Sequence, residues 1–261
     1  MRAMELAMIQ RRAARAMGLF ALVTFAIVML AVPRINQDQR YHDFAGPRVA
    51  DVWSNVAFLL AAIGGFAAVR NARAGVTPAV YTFFIGTFAT FLGSTYYHLA
   101  PDDTRLVYDR AGMIICFAAI VAMLLEERLD IHALPLLLAL GVASIVWWRV
   151  TGDLRPYGFV QFFPLLAIGV LLVMTKPRYT HAYMLAITGA LYVLAKVFEL
   201  FDRPIYDTLG VSGHTLKHLT AGAATGAVAW WIYRRRRCSD THRPTVAGSA
   251  QLHRQRPDRP G

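Results

Sequence analysis

Charge is scarce in this chain: 16% of its 261 residues are Asp, Glu, Lys or Arg, against roughly a quarter in ordinary soluble domains. That shortfall, with a positive mean hydropathy, excludes a conventional water-soluble globule. Acids are the scarcer sign, 16 against 27 Lys and Arg, and the formal net charge is +11. There are two cysteines, Cys116 in an apolar run and Cys238 in a polar tail, so no disulfide framework holds the fold. No Gly-rich phosphate loop and no internal repeat is present. No ten-residue stretch alternates in polarity, which excludes a transmembrane β-barrel.

Apolar length, by contrast, is abundant: 56% of residues are hydrophobic. A bilayer core about 30 Å thick needs roughly 20 apolar residues per helix. Eight stretches meet that need, 17–33, 52–69, 79–99, 107–125, 131–150, 157–175, 181–200 and 212–233, joined by short loops rich in Arg, Asp, Pro and Gly. Segments such as Phe58 to Gly65 and Ile114 to Leu125 have almost no polar face, unlike the helices of a soluble bundle. In lipid the backbone must satisfy itself, so the prediction is an all-α, polytopic membrane helix bundle. The first stretch follows Arg11, Arg12 and Arg15, as the core of a signal peptide would. Its cleavage pattern is poor, because Ala31-Val32-Pro33 runs into Arg34; it reads as an uncleaved anchor.

The basic residues sort by side. Fourteen Lys and Arg fall in the N-terminus, the loops near 70–78, 126–130 and 176–180, and the start of the tail up to Arg243; eight fall in the opposite loops, which are also rich in acids. By the positive-inside rule both termini are cytoplasmic, and this sorting sets nucleic-acid binding aside. From Arg234 the tail is rich in Arg, Pro and Ser and reads as disordered. Its four-Arg run is a stop-transfer anchor beside anionic headgroups, and its histidines, His242 and His253, are solvated bystanders.

Ionisable residues at membrane depth are costly, so each is a functional hypothesis. Ser94 and His98 lie four apart near the end of the third segment, Asp109 opens the fourth, and His214 and His218 lie four apart at the start of the eighth. One helical turn puts each pair on one face. Each group alone has a plainer reading: an interfacial histidine for His98, a helix-dipole acid for Asp109, a pair bonding loop carbonyls for His214 and His218. By the helix count, however, all three clusters reach the same outer depth. Three imidazoles there suit a catalytic zinc site with its fourth position left for water. Glu199 and Asp202, close to the same face, could support a histidine, with a simple pair with Lys196 or Arg203 the preferred reading; the loop from Gly152 to Tyr157 could meet a lipid headgroup, with a plain turn preferred.

Ser94-x3-His98, Asp109 eleven residues on, and His214-x3-His218 opening the last helix together resemble the signature of the alkaline ceramidase family. That family belongs to a superfamily of seven-helix membrane hydrolases, which includes adiponectin-receptor-like and Per1-like proteins. Trp53-Ser54-Asn55 and His218-Leu219-Thr220-Ala221-Gly222 are similar to that family's stretches at the first core helix and after the last histidine. The resemblance implies a seven-helix core over 41–233, preceded by residues 1–40 with one extra N-terminal transmembrane helix and followed by a basic tail over 234–261. It implies zinc on His98, His214 and His218, with Ser94 and Asp109 catalytic, and hydrolysis of a ceramide-like lipid amide from the extracytoplasmic side. Other classes remain open: a receptor-like or regulatory membrane protein with a structural zinc, and a bis-histidine haem protein. The acidic segment that gives eukaryotic ceramidases a calcium site is reduced here to Tyr41 to Arg48, with few carboxylates, and no calcium is expected.

Overall fold

The structure, a computed structural model, describes residues 2–238. All eight predicted segments are helical: α1 (Arg2–Ala31), the pair α2 (Arg48–Ser54) and α3 (Val56–Arg70), α4 (Pro78–Leu99), α5 (Asp103–Leu129), α6 (Leu134–Thr151), α7 (Arg155–Met174), α8 (Tyr183–Leu200) and α10 (Gly213–Arg234). The sequence gives no sign of the break at Asn55 between α2 and α3, of the short helix α9 (Asp202–Leu209), or of the 3-10 turn Gln39–His42. Among the described residues there is no strand beyond a single pairing of Tyr179 with Arg237.

Six helices are long and apolar enough to cross a membrane: Arg12–Ala31, Arg48–Arg70, Asp103–Leu129, Leu134–Thr151, Arg155–Met174 and Tyr183–Leu200. The two predicted segments outside that set, α4 and α10, are the ones that carry the candidate histidines. Polar and small residues such as Thr87, Thr90, Ser94 and His98 in α4, and His214, Lys217 and His218 in α10, lower their apolar content. Each has 22 residues, about 33 Å at a rise of 1.5 Å, which is also the thickness of a bilayer core.

Helices α3, α4, α5, α7, α8 and α10 pack in that order as a closed ring, with α6 outside against α5 and α7, and α1 outside against α7. α5 is the most enclosed of the apolar spans. Small residues let backbones approach, as membrane helices require in the absence of a solvent-driven core. A Cβ on Gly93 would stand 2.2 Å from the Tyr108 carbonyl oxygen, so α4 and α5 touch there only because the residue is glycine. Over Arg12–Ala31 α1 buries no residue; Phe20 and Phe25 meet Phe163 and Phe159 of α7 at ring distances of 5.9 and 5.2 Å.

Residues Arg235 to Cys238, predicted as the start of a disordered tail, are held in place. Arg235 is buried between the rings of Tyr179 and Trp231, at 4.6 and 4.4 Å, and donates to the carbonyls of Ala74 and Gly75. The Thr180 amide donates to the Arg236 carbonyl at 3.0 Å. The rest of the tail, with His242, Arg243 and His253, lies outside the described residues.

Candidate metal centre

Helix geometry delivers the three predicted histidines to one point. His98 sits in the last turn of α4, while His214 and His218 share a face of the first turns of α10. All three are buried, and one ligand atom from each lies within 4.8 Å of the others. The Nε2 atoms of His98 and His214 are 3.1 Å apart. Tetrahedral zinc with Zn–N of about 2.0–2.1 Å places ligand nitrogens about 3.3 Å apart, so the spacing suits one small ion.

The surroundings of His218 fit the same reading. Its Nδ1 lies 2.8 Å from the Ser54 hydroxyl and 3.2 Å from the Asp51 carbonyl. A ligating histidine characteristically gives its other N–H to such an oxygen, which aims Nε2 at the metal. The Asp51 carbonyl also accepts from Ser54 and Asn55, and the Asp51 carboxylate accepts from Ser212 and Thr215 of the α10 start at 3.0 and 2.7 Å. The break at Asn55 thus has a use, because it turns α2 so that its carbonyls face α10. His98 differs: its Nδ1 is buried with no partner among the described residues.

Ser94 and Asp109, the two predicted catalytic residues, face one another across the α4–α5 contact that Gly93 permits. Both are buried, and both line a cavity enclosing about 930 Å³ of empty space, counted to its mouth. His218 and Lys217 join them at its polar end, while Phe58, Phe117, Ile120, Leu165 and Ile168 make its walls apolar. The cavity runs inside the helix ring. Its lining, mostly apolar with a few polar groups, is that of a small-molecule pocket.

Two features of the site go beyond the predicted residues. The first is an ion cluster: Glu199 accepts from Lys217 at 2.7 Å and from Lys196, and the Tyr41 hydroxyl donates to it at 3.1 Å. The expected Glu199–Lys196 pair is therefore present, but Lys217 completes it, and Lys217 Nζ also stands 3.4 Å from His214 Nε2. This ammonium is a like charge beside a metal position, offset by Glu199. The second is a lid over residues 41–45. Asp202, expected to pair with Arg203, instead accepts from the backbone amides of Ala45 and His214 at 2.8 and 2.9 Å. That clamp sets the Phe44 ring 4.1 Å from His214 and 4.7 Å from His98. His42 bridges the Tyr97 hydroxyl and Asp103. Burial pushes the Tyr41 phenol pKa well up, so it stays a neutral donor to Glu199.

Comparisons with protein-family models, with curated proteins and with solved structures give no match.

Proposed function

We propose that this chain is a metal-dependent membrane hydrolase that cleaves an acyl bond of a lipid, zinc being the ion and a ceramide-like amide the bond. The observation that carries the reading is the junction of three clustered imidazoles with an apolar cavity whose polar end holds Ser94 and Asp109. The apolar walls would suit an acyl chain, whose carbonyl would then lie near Ser94 and Asp109. The resemblance of Ser94, His98, Asp109, His214 and His218 to the alkaline ceramidase signature supports the amide as the scissile bond.

Zinc held by His98, His214 and His218 would supply a water acidified to a pKa of about 7 and a Lewis acid for the carbonyl. The chain's own groups account for the remaining steps. Asp109 takes the proton of the attacking water and passes it to the departing nitrogen, the part of amide hydrolysis that needs an acid. The Ser94 hydroxyl donates to the carbonyl oxygen as it gains charge, and Lys217, anchored by Glu199, donates from the other side. Phe44 and the lid close the centre toward the outer loops, so the substrate enters along the apolar cavity.

Purified, zinc-replete protein is expected to release fatty acid from ceramide in a lipid panel. Release from ester lipids alone would retain a hydrolase but not an amidase. Full zinc occupancy with no lipid cleaved would leave a receptor-like protein with a structural metal as the better reading.

A further inference from the structure

A second polar site lies at the other end of the helix ring. Arg73 from the α3–α4 loop, Arg234 and Arg236 at the end of α10, and Thr180 and His181 from the α7–α8 loop surround an open cavity with Tyr233, about 790 Å³ counted to its mouth. Among the described residues, no acidic one lines it. The nearby carboxylates are engaged elsewhere: Asp130 pairs with Arg178, and Glu127 with Arg128. The cavity wall is built, since Arg236 and Thr180 exchange backbone contacts (Arg236 N–H to Thr180 Oγ1, 3.1 Å) and buried Arg235 pins the same strand of chain to Ala74 and Gly75. His181 holds a left-handed backbone, φ 59°, that turns its ring toward Trp230 at 5.4 Å.

The geometry points to this cavity as a binding site for the phosphodiester headgroup of an anionic phospholipid. Three guanidiniums line the cavity together with two hydroxyls and, among the described residues, no carboxylate, which is the donor set that phosphate oxygens take. A lipid rather than free phosphate follows from depth and from the rim. α10 has 22 residues, so its two ends are about 33 Å apart, and this cavity lies at headgroup level of the leaflet opposite the histidines. Trp230 and Tyr233 at its edge are 40% and 48% exposed, the partly wet aromatics that mark a membrane interface. The Arg234 guanidinium lies 5.9 Å over the Trp230 ring. Val173 and Met174, among the most exposed apolar side chains, end the adjoining α7, where acyl chains would run. Basic pockets between helices recognise anionic headgroups in this way, each Arg adding about a fivefold preference.

The test uses delipidated full-length protein, titrated with short-chain phosphatidylglycerol, phosphatidylcholine and inorganic phosphate, with bound lipid read by native mass spectrometry. Phosphatidylglycerol is expected to bind at least tenfold more tightly than phosphatidylcholine. The triple variant Arg73→Gln, Arg234→Gln, Arg236→Gln should lose at least tenfold, whereas Arg40→Gln, an exposed ion-paired arginine at the other end, should lose nothing. Should the triple variant not fold, Arg73→Gln and Arg236→Gln singly are each expected to lose severalfold. Equal binding of the two lipids, unchanged binding by the arginine variants, or inorganic phosphate binding as tightly as phosphatidylglycerol would each overturn the assignment. Because the readout is lipid retention, it is independent of whether the histidine centre hydrolyses anything.

Discussion

At the scale of single residues, the three histidines are separable from their neighbours by what each loss would do. His98→Ala, His214→Ala and His218→Ala should each strip zinc, because two imidazoles hold the ion far more weakly than three. His132→Ala and His181→Ala should not, since neither belongs to the buried cluster. Ser94→Ala should keep full metal and lose about a hundredfold or more in turnover, the usual cost of removing one oxyanion donor. Metal analysis of purified variants beside their activity checks both halves; full zinc in His214→Ala would show the coordination to be wrong. Residue pattern made this much legible, because one-turn spacings and a shared depth announce a cluster. Lys217 was hidden for a physical reason. A lysine near a helix start reads as one that reaches its charge out to the interface, and its partner Glu199 lies on another helix, 18 residues earlier.

At the scale of elements, the attachment of α1 rests on a small polar clip. Arg155 donates to the carbonyls of Met29 and Val32, satisfying the end of α1, and is itself held by Asp153 at 2.8 Å. That guanidinium pulls the Asp153 carboxyl from its ordinary 3.8 down to about 2. A lowered native pKa gives stability that is complete above about pH 4 and lost as pH falls through about 2. Hydrogen exchange over residues 29–35, corrected for intrinsic rates, should therefore keep its protection from pH 7 to pH 4. Arg155→Gln should lose that protection at neutral pH while zinc content stays unchanged. Equal protection in the variant would mean that the Phe20 and Phe25 rings, with the Arg34–Thr151 and Leu154–Ile35 hydrogen bonds, suffice to hold α1. Sequence reading took this loop for a plain turn, since nothing in Gly152 to Tyr157 reveals that its arginine caps a helix more than a hundred residues away.

At the scale of the whole molecule, the helices themselves were legible and their partition was not. Runs such as Ile114 to Leu125 give length and class at once, and apart from α1, which begins at Arg2 and not at 17, their boundaries shifted by only a few residues. Which helices form the ring depends on close approaches like that of Gly93 to Tyr108, and glycine in a sequence does not name its neighbour. The lid at 41–45 was likewise invisible, because its role comes from Asp202 catching the Ala45 amide, not from any local period. Orientation is the global prediction. By the positive-inside rule, the excess of basic residues on the side of both termini predicts that the termini are cytoplasmic and that the histidine cluster lies toward the opposite face. Reporter fusions after Arg237 and beside Asp103 are expected to signal from opposite sides; a cytoplasmic signal from the Asp103 fusion would invert the arrangement.

The low apolar content of α4 and α10 also bears on biogenesis. Helices enter a bilayer from the translocon according to their own partition energies, and polar or charged residues weaken that partition the more the deeper they lie. α10 brings Lys217, His214 and His218 with it, so alone it is a poor inserter beside α7, whose interior carries no charge. It becomes a good one only when Glu199 of α8 and the Asp51 carbonyl are already waiting to receive those groups. Assembly of the histidine cluster and the last step of membrane integration would then be one event, and a glycosylation-mapping assay should find α10 inserting far better behind α8 than behind an inert leader.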